Sequence, residues 1–490
     1  MQYKIPHNID PNKVFLVNFS ELEGRLEPEY YRPSIATLEK RIRAFSTHKL
    51  KDYILSINGG ATPSKTEPEK YYSNSENGIP FLRVQNLQTN GELLLDDCVY
   101  INEETHNGLL KRSQVSEGDL LVKITGVGRM AIASVAPKDF VGNTNQHMVV
   151  IKTVDVSQSK YLASYLNLDC IERIASRHAT GGTRPALDFP SLKNLPIIDN
   201  IDFSLIEIAI QAKKQKEREA KEILDSIDDY LLSELGIERP SPIRTENGRF
   251  FYTSHKEVIG KRLDPLAYSE RTKLLKQSIT SGKYSCSTLK SLITQEAAGD
   301  WGIDVIDDYD ESIYSKCLVL RSTEFSLYHN IVVDNSKAKY RLISNRKLDS
   351  IDLQPNDLII EKSGGSENQP VGRIAIITKD LYERDKLCYS NFVQKIRLDN
   401  SQVIPTYACF FLRLVHNMKL TETMQSQTNG IRNLILSEYY NQQIPIPPIE
   451  KQKEIIYHIE TLYNRAKQLQ HEAKTILSNA KMEIEQMILG

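Results

Sequence analysis

The chain is poor in the residues that build metal and disulfide frameworks. Its six cysteines (Cys98, Cys170, Cys286, Cys317, Cys388 and Cys409) lie far apart and form no CxxC. That spacing argues against zinc and thiol-redox motifs and predicts buried thiols in a reducing cytoplasm. No run approaches the roughly 20 apolar residues that span a bilayer. Residues 1–15 lack a basic stretch followed by an apolar core, so no signal peptide is expected. Neither charge sign dominates: 62 Lys and Arg stand against 63 Asp and Glu. A chain basic all over is excluded, but a basic face offset elsewhere is not. Local catalytic signatures are missing too. There is no GxxxxGK[ST], no GxGxxG after a strand, no HExxH and no GxSxG. Glu361-Lys362 lacks the spacing of a D…ExK nuclease, no Asn-Pro-Pro-aromatic motif occurs, and no histidine pairs with a plausible Ser or Cys. Together these absences argue against catalysis and against a metal site in this chain.

What the chain does have is one long statement made twice. Arg25-Leu26-Glu27-Pro28-Glu29-Tyr30-Tyr31 returns as Arg262-Leu263-Asp264-Pro265-Leu266-Ala267-Tyr268, and Phe81-Leu82-Arg83 as Val319-Leu320-Arg321. Residues 115–121 return at 353–359, Gly128-Arg129-Met130-Ala131-Ile132 as Gly372-Arg373-Ile374-Ala375-Ile376, and Leu195-Pro196-Ile197 as Ile444-Pro445-Ile446. A period of about half the chain is no short-repeat solenoid; it is a duplicated domain with a helix attached. Within the first copy, residues 93–101, 118–125, 130–136 and 147–152 read as strands between turn residues, and 34–47 and 160–176 as amphipathic helices. The expected class is α+β, with two similar mixed domains.

A long charged helix follows each copy. Ser204-Leu205-Ile206-Glu207 reads as a capping box and Gly236 as the glycine that ends the first helix. Its apolar seam is Phe203, Ile206, Ile210, Ala220, Leu224, Ile227 and Leu231, interrupted by Lys213 and Glu217. The second helix follows Pro447-Pro448, with a seam of Ile455, Ile459, Leu462, Ala466, Leu469, Ala473, Ile476, Ala480 and Met487. Spacings of four and three sustained this long predict a coiled coil. At about 1.5 Å per residue the helices would be roughly 50 and 60 Å long, too long to hide narrow seams on their own domains. An antiparallel pair of the two is therefore expected. The predicted boundaries are 1–202 for the first domain, 203–236 for its helix, 237–448 for the second domain and 449–490 for the second helix.

Polar groups recur in the turns between the strand-like runs. In the first copy they are Arg83, Gln85, Asn86, Lys123, Thr125, Arg129, Asn145, Gln146, Thr183 and Arg184. In the second they are Arg321, Ser322, Lys362, Ser363, Arg373, Asn391, Asn429 and Arg432. Arg suits the O6/N7 edge of guanine, Asn or Gln the N6/N7 edge of adenine, and small polar or glycine backbone suits phosphate. Singly, each is more often a solvated turn residue. Recurrence lifts the set: Arg83 with Arg321, Lys123 with Glu361 or Lys362, Arg129 with Arg373, Arg184 with Arg432. A shared scaffold with different tips is what two readers of different sequences would show.

With these phrases in view the chain resembles the specificity subunit of a type I DNA restriction–modification enzyme over nearly its whole length. The resemblance rests on the tandem layout and on Gly78-Ile79-Pro80-Phe81-Leu82-Arg83-Val84-Gln85-Asn86-Leu87, Glu117-Gly118-Asp119-Leu120-Leu121-Val122, Gly181-Gly182-Thr183-Arg184-Pro185-Ala186-Leu187 and the proline-rich passage Ile444-Pro445-Ile446-Pro447-Pro448-Ile449-Glu450-Lys451-Gln452. Two departures stand out. Arg184 and Arg432 stand where the family has Gln, and Ala297-Ala298-Gly299-Asp300-Trp301-Gly302 replaces the Gly-Gly-Ala-Thr-Pro turn at 59–63. The resemblance implies two target recognition domains, each reading half of a split double-stranded DNA site, with the helix pair as spacer. It also implies two methyltransferase subunits carrying S-adenosylmethionine and restriction subunits using ATP and Mg, with no cofactor in this chain and no membrane. A protein-interaction scaffold built on the coiled coil, and a stand-alone nuclease, are the alternatives that the residues alone leave open.

Overall fold

The computed structural model describes residues 9–240, 252–259, 263–326, 331–366, 369–428 and 430–490. The chain divides into two compact units, Met1–Glu219 with Gln468–Gly490, and Ala220–Lys467. Each long helix contributes its residues to both.

In the first unit an antiparallel sheet orders its strands Ser56–Gly59, Met148–Lys152, Leu120–Lys123, Ala133–Val135. The run Leu120-Leu121-Val122 is apolar without alternation because both faces are covered. Leu120, Val122, Val149 and Ile151 face a large core shared with the helices, while Leu121, Met148 and Val150 face a smaller core beneath a second sheet. That second sheet orders Tyr72–Ser73, Val99–Ile101, Ile79–Leu82, Val141–Thr144, Gln114–Ser116, and its Ile79–Leu82 and Val141–Thr144 strands run parallel. A short ladder joins His48–Lys49 to Pro196–Ile197. The predicted helix at 160–176 is two helices, Val156–Leu166 and Asp169–His178, broken at Asn167 and Leu168.

The second unit repeats this plan strand for strand in its main sheet: Ile293–Ala298, Val393–Leu398, Leu358–Glu361, Ile374–Ile376. Tyr340–Ser344, Tyr314–Leu320 and Leu387–Tyr389 form the second sheet, again with one parallel pair, and Cys286–Thr288 pairs with Gln443–Pro445. The repeated phrases now have physical reasons. The turn before Leu120 needs a left-handed residue, supplied by Gly118 (φ 79°) and in the second copy by Asn356 (φ 71°). Asp119 then accepts the Ser116 amide at 2.8 Å and the Lys152 ammonium at 2.9 Å, and Asp357 accepts the Gln354 amide at 2.8 Å and Arg397 Nε at 2.8 Å. A glycine also survives the change of turn at 297–302. A Cβ on Gly60 would lie 2.2 Å from the Thr144 carbonyl oxygen, and one on Gly299 2.2 Å from that of Tyr389.

The long helices span Ser204–Leu235 and Ile449–Leu489. They run antiparallel: Lys216 pairs with Glu472 in the first unit, and Glu234 with Lys451 at 2.7 Å in the second. The capping box is not formed; Ser204 is already the first helical residue, and Asp202 accepts its amide at 2.9 Å. Gly236 does end the helix, at φ 63°. The proline-rich passage is explained by Gln452. Its buried amide accepts the Ile404 N–H at 2.8 Å and donates to the Pro447 and Gln402 carbonyls at 2.9 and 3.2 Å, stitching the first turn to its domain. The predicted seams are only partly right. Phe203, Ile206, Ala209, Leu477, Ala480 and Ile484 belong to the first unit's core, whereas Met487 is exposed and Ile210 and Ile476 are only partly buried. Near its end the second helix docks on a globular domain, so a wider face than a coiled-coil seam is covered. There Lys481 is buried, donating to the Thr89 and Asn167 carbonyls at 2.6 and 3.0 Å, and Glu485 accepts the Cys170 N–H at 3.1 Å.

The helix Pro33–Phe45 anchors a buried carboxylate. Burial would raise the Glu39 pKa, but His178, Arg43 and Arg177 surround it and hold it at about 2. The unfolded value is 4.5, so this group stabilises the fold fully above about pH 4.5, and that stability is lost as pH falls toward 2. Its size is on the order of 3 kcal/mol. Glu39→Gln is expected to lower stability at pH 7 and flatten the acid limb between pH 5 and 2 in urea titrations. An unchanged acid limb would show that other carboxylates set it.

Candidate nucleic-acid interface

In the first unit several turns meet along one rim, at the ends of Ile79–Leu82, Leu120–Lys123 and Val141–Thr144. Asn145 N–H donates to the Leu82 carbonyl at 3.2 Å, Ile124 N–H to His147 at 2.9 Å, Leu187 N–H to Ile124 at 2.8 Å, and Gly126 N–H to Pro185 at 3.0 Å. The second unit reproduces the frame: Ser390 N–H to Leu320 at 2.8 Å, Lys362 N–H to Phe392 at 2.9 Å, and Leu434 N–H to Lys362 at 2.8 Å. Residues 83, 125, 145–146 and 183–184, and residues 321, 362–363, 391 and 432, therefore share one rim in each domain.

Side chains on these rims divide into those that build and those that face solvent. Arg83 and Arg321 occupy the same position and do the same work. Each backbone N–H is capped by a buried residue three positions on, Asn86 Oδ1 at 2.8 Å and Glu324 Oε2 at 2.6 Å. Each guanidinium reaches the next loop, Arg83 to the Asp97 carbonyl at 3.3 Å and Arg321 to that of Lys337 at 3.1 Å. Arg321 is further tied to Glu324. Asn86 is 1% exposed and donates to the Leu94 carbonyl at 2.8 Å. Its amide is consumed inside the domain, so it cannot read a base edge.

Lys123 is likewise internal. It is 3% exposed, donates to the Val127 carbonyl at 2.8 Å, and has its pKa lowered by burial. Its counterpart is Glu361, not Lys362: Lys123 N–H donates to Ile132 and Glu361 N–H to Arg373, each at 2.9 Å. The same bonds place Arg373 opposite Ile132, three residues from the expected Arg129. Arg129 turns toward Asp169 and the Asn167 carbonyl at 3.0 Å, whereas Arg373 forks onto buried Glu361 at 2.8 and 2.9 Å and donates to the Ser322 carbonyl at 3.0 Å. Asn145 is buried and caps the His147 N–H at 3.1 Å. Thr125 and Ser363 are half-buried, the latter bonded to Asn433.

Solvent-facing groups remain. In the first domain they are Gln85, which also donates to Asp97 at 3.0 Å, Gln146, which accepts from Thr62, and the exposed Thr183 and Arg184. In the second they are exposed Asn391 and half-buried Arg432 and Lys362, whose ammonium pKa is lowered by burial and by nearby Lys347. Asn429, like Arg262 of the repeated phrase, lies outside the described residues. Three apolar tips escaped the polar pattern: Val127 (78% exposed), Phe392 and Ile431 (each 52%). The signal for Val127 and Ile431 was glycine beside a β-branched residue, a turn with nothing to bury. Among the described residues no group of three or more His, Cys, Asp or Glu could hold a metal ion, and no helix is long and apolar enough to cross a membrane.

The profile of the type I restriction modification DNA specificity domain matches the chain twice, over residues 44–198 and 322–477. Among solved structures, a chain of a type I R-M system described for complex assembly and conformational transition is 14% identical, covers 90% of this chain and 95% of its own, and gives a TM-score of 0.47. The S subunit of a type I system from M. genitalium is 12% identical, with coverages of 89% and 94% and a TM-score of 0.38. The HsdS subunit from Thermoanaerobacter tengcongensis is 14% identical, with coverages of 90% and 94% and a TM-score of 0.34. The superpositions are loose, and the assignment rests on the doubled profile match. With two copies of that domain over more than half its length, the chain belongs to the type I restriction–modification DNA specificity family, and its function is DNA sequence recognition.

Proposed function

We propose that each rim reads one part of a bipartite DNA site and that the antiparallel helices set the unspecified spacer between the parts. The chain itself is non-catalytic. It docks two methyltransferase subunits that carry S-adenosylmethionine, and restriction subunits that use ATP and Mg join the complex. The observation that carries this reading is the matched pair of rims. Three bonds of the backbone frame correspond between the two rims, while the side chains they carry differ: Gln146 where the other has Asn391, His147 where it has Phe392. Arg184, Gln85 and Gln146 would read base edges on one side, and Asn391 and Arg432 on the other. Half-buried Lys362 suits a phosphate, and Val127 and Ile431 suit thymine methyls.

Selection from a random duplex library, with the full chain and its methyltransferase partners, is expected to return two short specified tracts about one helical turn, roughly 34 Å, apart. Affinity should fall steeply with salt as phosphate contacts release counterions. A single contiguous tract, or salt-insensitive binding to a protein instead, would sink the reading. Plasmid cleavage by the isolated chain with Mg would overturn its non-catalytic part.

A further inference from the structure

In the first domain, residues 180–185 leave the C-terminus of the helix Asp169–His178 and carry Thr183 and Arg184. The neck of this loop closes through Thr180 N–H to the Ala186 carbonyl at 2.8 Å and Ala186 N–H to the Thr180 carbonyl at 2.7 Å. Below the neck the loop is held by a segment from far away in sequence. Arg25 Nη1 donates to the His178 carbonyl at 3.3 Å and Nη2 to the Ala179 carbonyl at 3.1 Å. Carbonyls at a helix C-terminus lack intrahelical donors and carry partial negative charge, so a cation fork there satisfies both needs.

Arg25 is itself locked. Its guanidinium lies 4.4 Å from the centroid of the buried Tyr30 ring, and Arg177 lies 4.3 Å from the same centroid. Arg177 Nε also donates to the Tyr30 carbonyl at 2.6 Å, and the Tyr30 hydroxyl donates to Glu23 at 2.6 Å. In the second domain the equivalent loop is built from longer strands. There Gln425–Thr428 and Ile431–Leu434 form a hairpin, with Ser363–Gly365 as a third strand. In the first domain the pairing is shorter, two isolated bridges from Ala186 to Thr125 and to Thr180, and the Arg25 clamp holds the chain just below them.

We propose that Arg25 is a positioning residue for recognition by the first domain: by fixing the His178 and Ala179 carbonyls it sets the direction in which Thr183 and Arg184 are presented to DNA. This rests on the reading of that loop as part of the DNA-reading rim. Arg25 touches no base in this scheme, and its effect is confined to one half-site.

The test compares Arg25→Ala, Arg25→Lys and Arg184→Ala in the full chain with its methyltransferase partners, on duplexes carrying single base changes in either half-site. Arg25→Ala is expected to cut discrimination about tenfold in one half-site only, with non-specific affinity and salt slope unchanged. Arg25→Lys keeps the cation but loses the fork, and should give an intermediate loss; it serves alone if Arg25→Ala does not fold. Arg184→Ala should affect the same half-site. If Arg184→Ala acts there and neither Arg25 variant does, or if both half-sites weaken equally, the positioning role is overturned while the rim reading stands. If Arg184→Ala leaves both half-sites untouched, the rim reading of this loop falls and the proposal with it.

Discussion

One extra heptad in each long helix, after Glu219 in the first and before Gln468 in the second, is expected to move the preferred target to one with a spacer about three base pairs longer. Seven residues add about 10.5 Å of helix, and a base pair about 3.4 Å. Both insertions fall between the Lys216–Glu472 and Glu234–Lys451 pairs, so both pairs can persist. Seven residues also preserve the alternation of four and three that keeps the seams facing each other. An insertion in one helix alone cannot keep both pairs in register. That variant should lose specific binding on any spacer and fall toward non-specific affinity, a loss on the order of 10³-fold or more. Binding to duplexes that differ only in spacer length measures both outcomes. The half-sites themselves should not change. A doubly extended variant that keeps the original spacer would refute the ruler.

Asp357→Ala is expected to cost the second domain about 3–5 kcal/mol, a large share of the roughly 5–15 kcal/mol that holds a domain folded. Asp357 is 1% exposed and lies 3.4 Å from Lys395 Nζ, whose side chain is fully buried. It also accepts Arg397 Nε and Nη2 at 2.8 and 2.9 Å and the Gln354 N–H at 2.8 Å. Removing it strands a buried ammonium whose other partners, the Ile351 and Asp352 carbonyls and Gln295, are neutral. Lys395→Met should be far milder, because it removes the charge rather than orphaning it. The first domain provides the control. The strand position of Lys395 is held there by Val150, and Asp119 faces only the half-exposed Lys152 and the Ser116 amide. Asp119→Ala should therefore cost about 1–2 kcal/mol. Trp301, the single tryptophan, packs against the second domain's core, so its fluorescence reports that domain's unfolding alone. Equal losses for Asp357→Ala and Lys395→Met would refute the argument from an orphaned charge.

The duplication, the two mixed domains and the antiparallel helices were all legible in the sequence, because each is written in chain-local pattern. Repeated phrases survive where a turn, a cap or a fully covered strand dictates the residue type, as at Gly118 and Asp119 or Asn356 and Asp357. Gly236 and Gln452 are of the same kind. The seams could be followed wherever the helices face each other. They held at Ala480 but missed Leu477 and Ile484, which meet a globular core, since no local spacing encodes what a helix end will dock against.

Site residues were legible as positions but not as roles. Arg83 and Arg321 were paired correctly, yet only tertiary structure gives them Asp97, Glu324 and neighbouring carbonyls as partners. Asn86 and Lys123 look like any polar turn residue in sequence; the packed sheets decide that they point inward. The pairing of Arg129 with Arg373 followed a shared Gly-Arg phrase, and ladder hydrogen bonds, which join strands distant in the chain, shift it by three residues. The sequence by itself determined that two copies of one frame exist and where their turns fall. Which side chains on those turns build the frame, and which are left facing solvent, was decided by long-range backbone pairing and burial, because a polar group's availability depends on neighbours that its own segment does not specify.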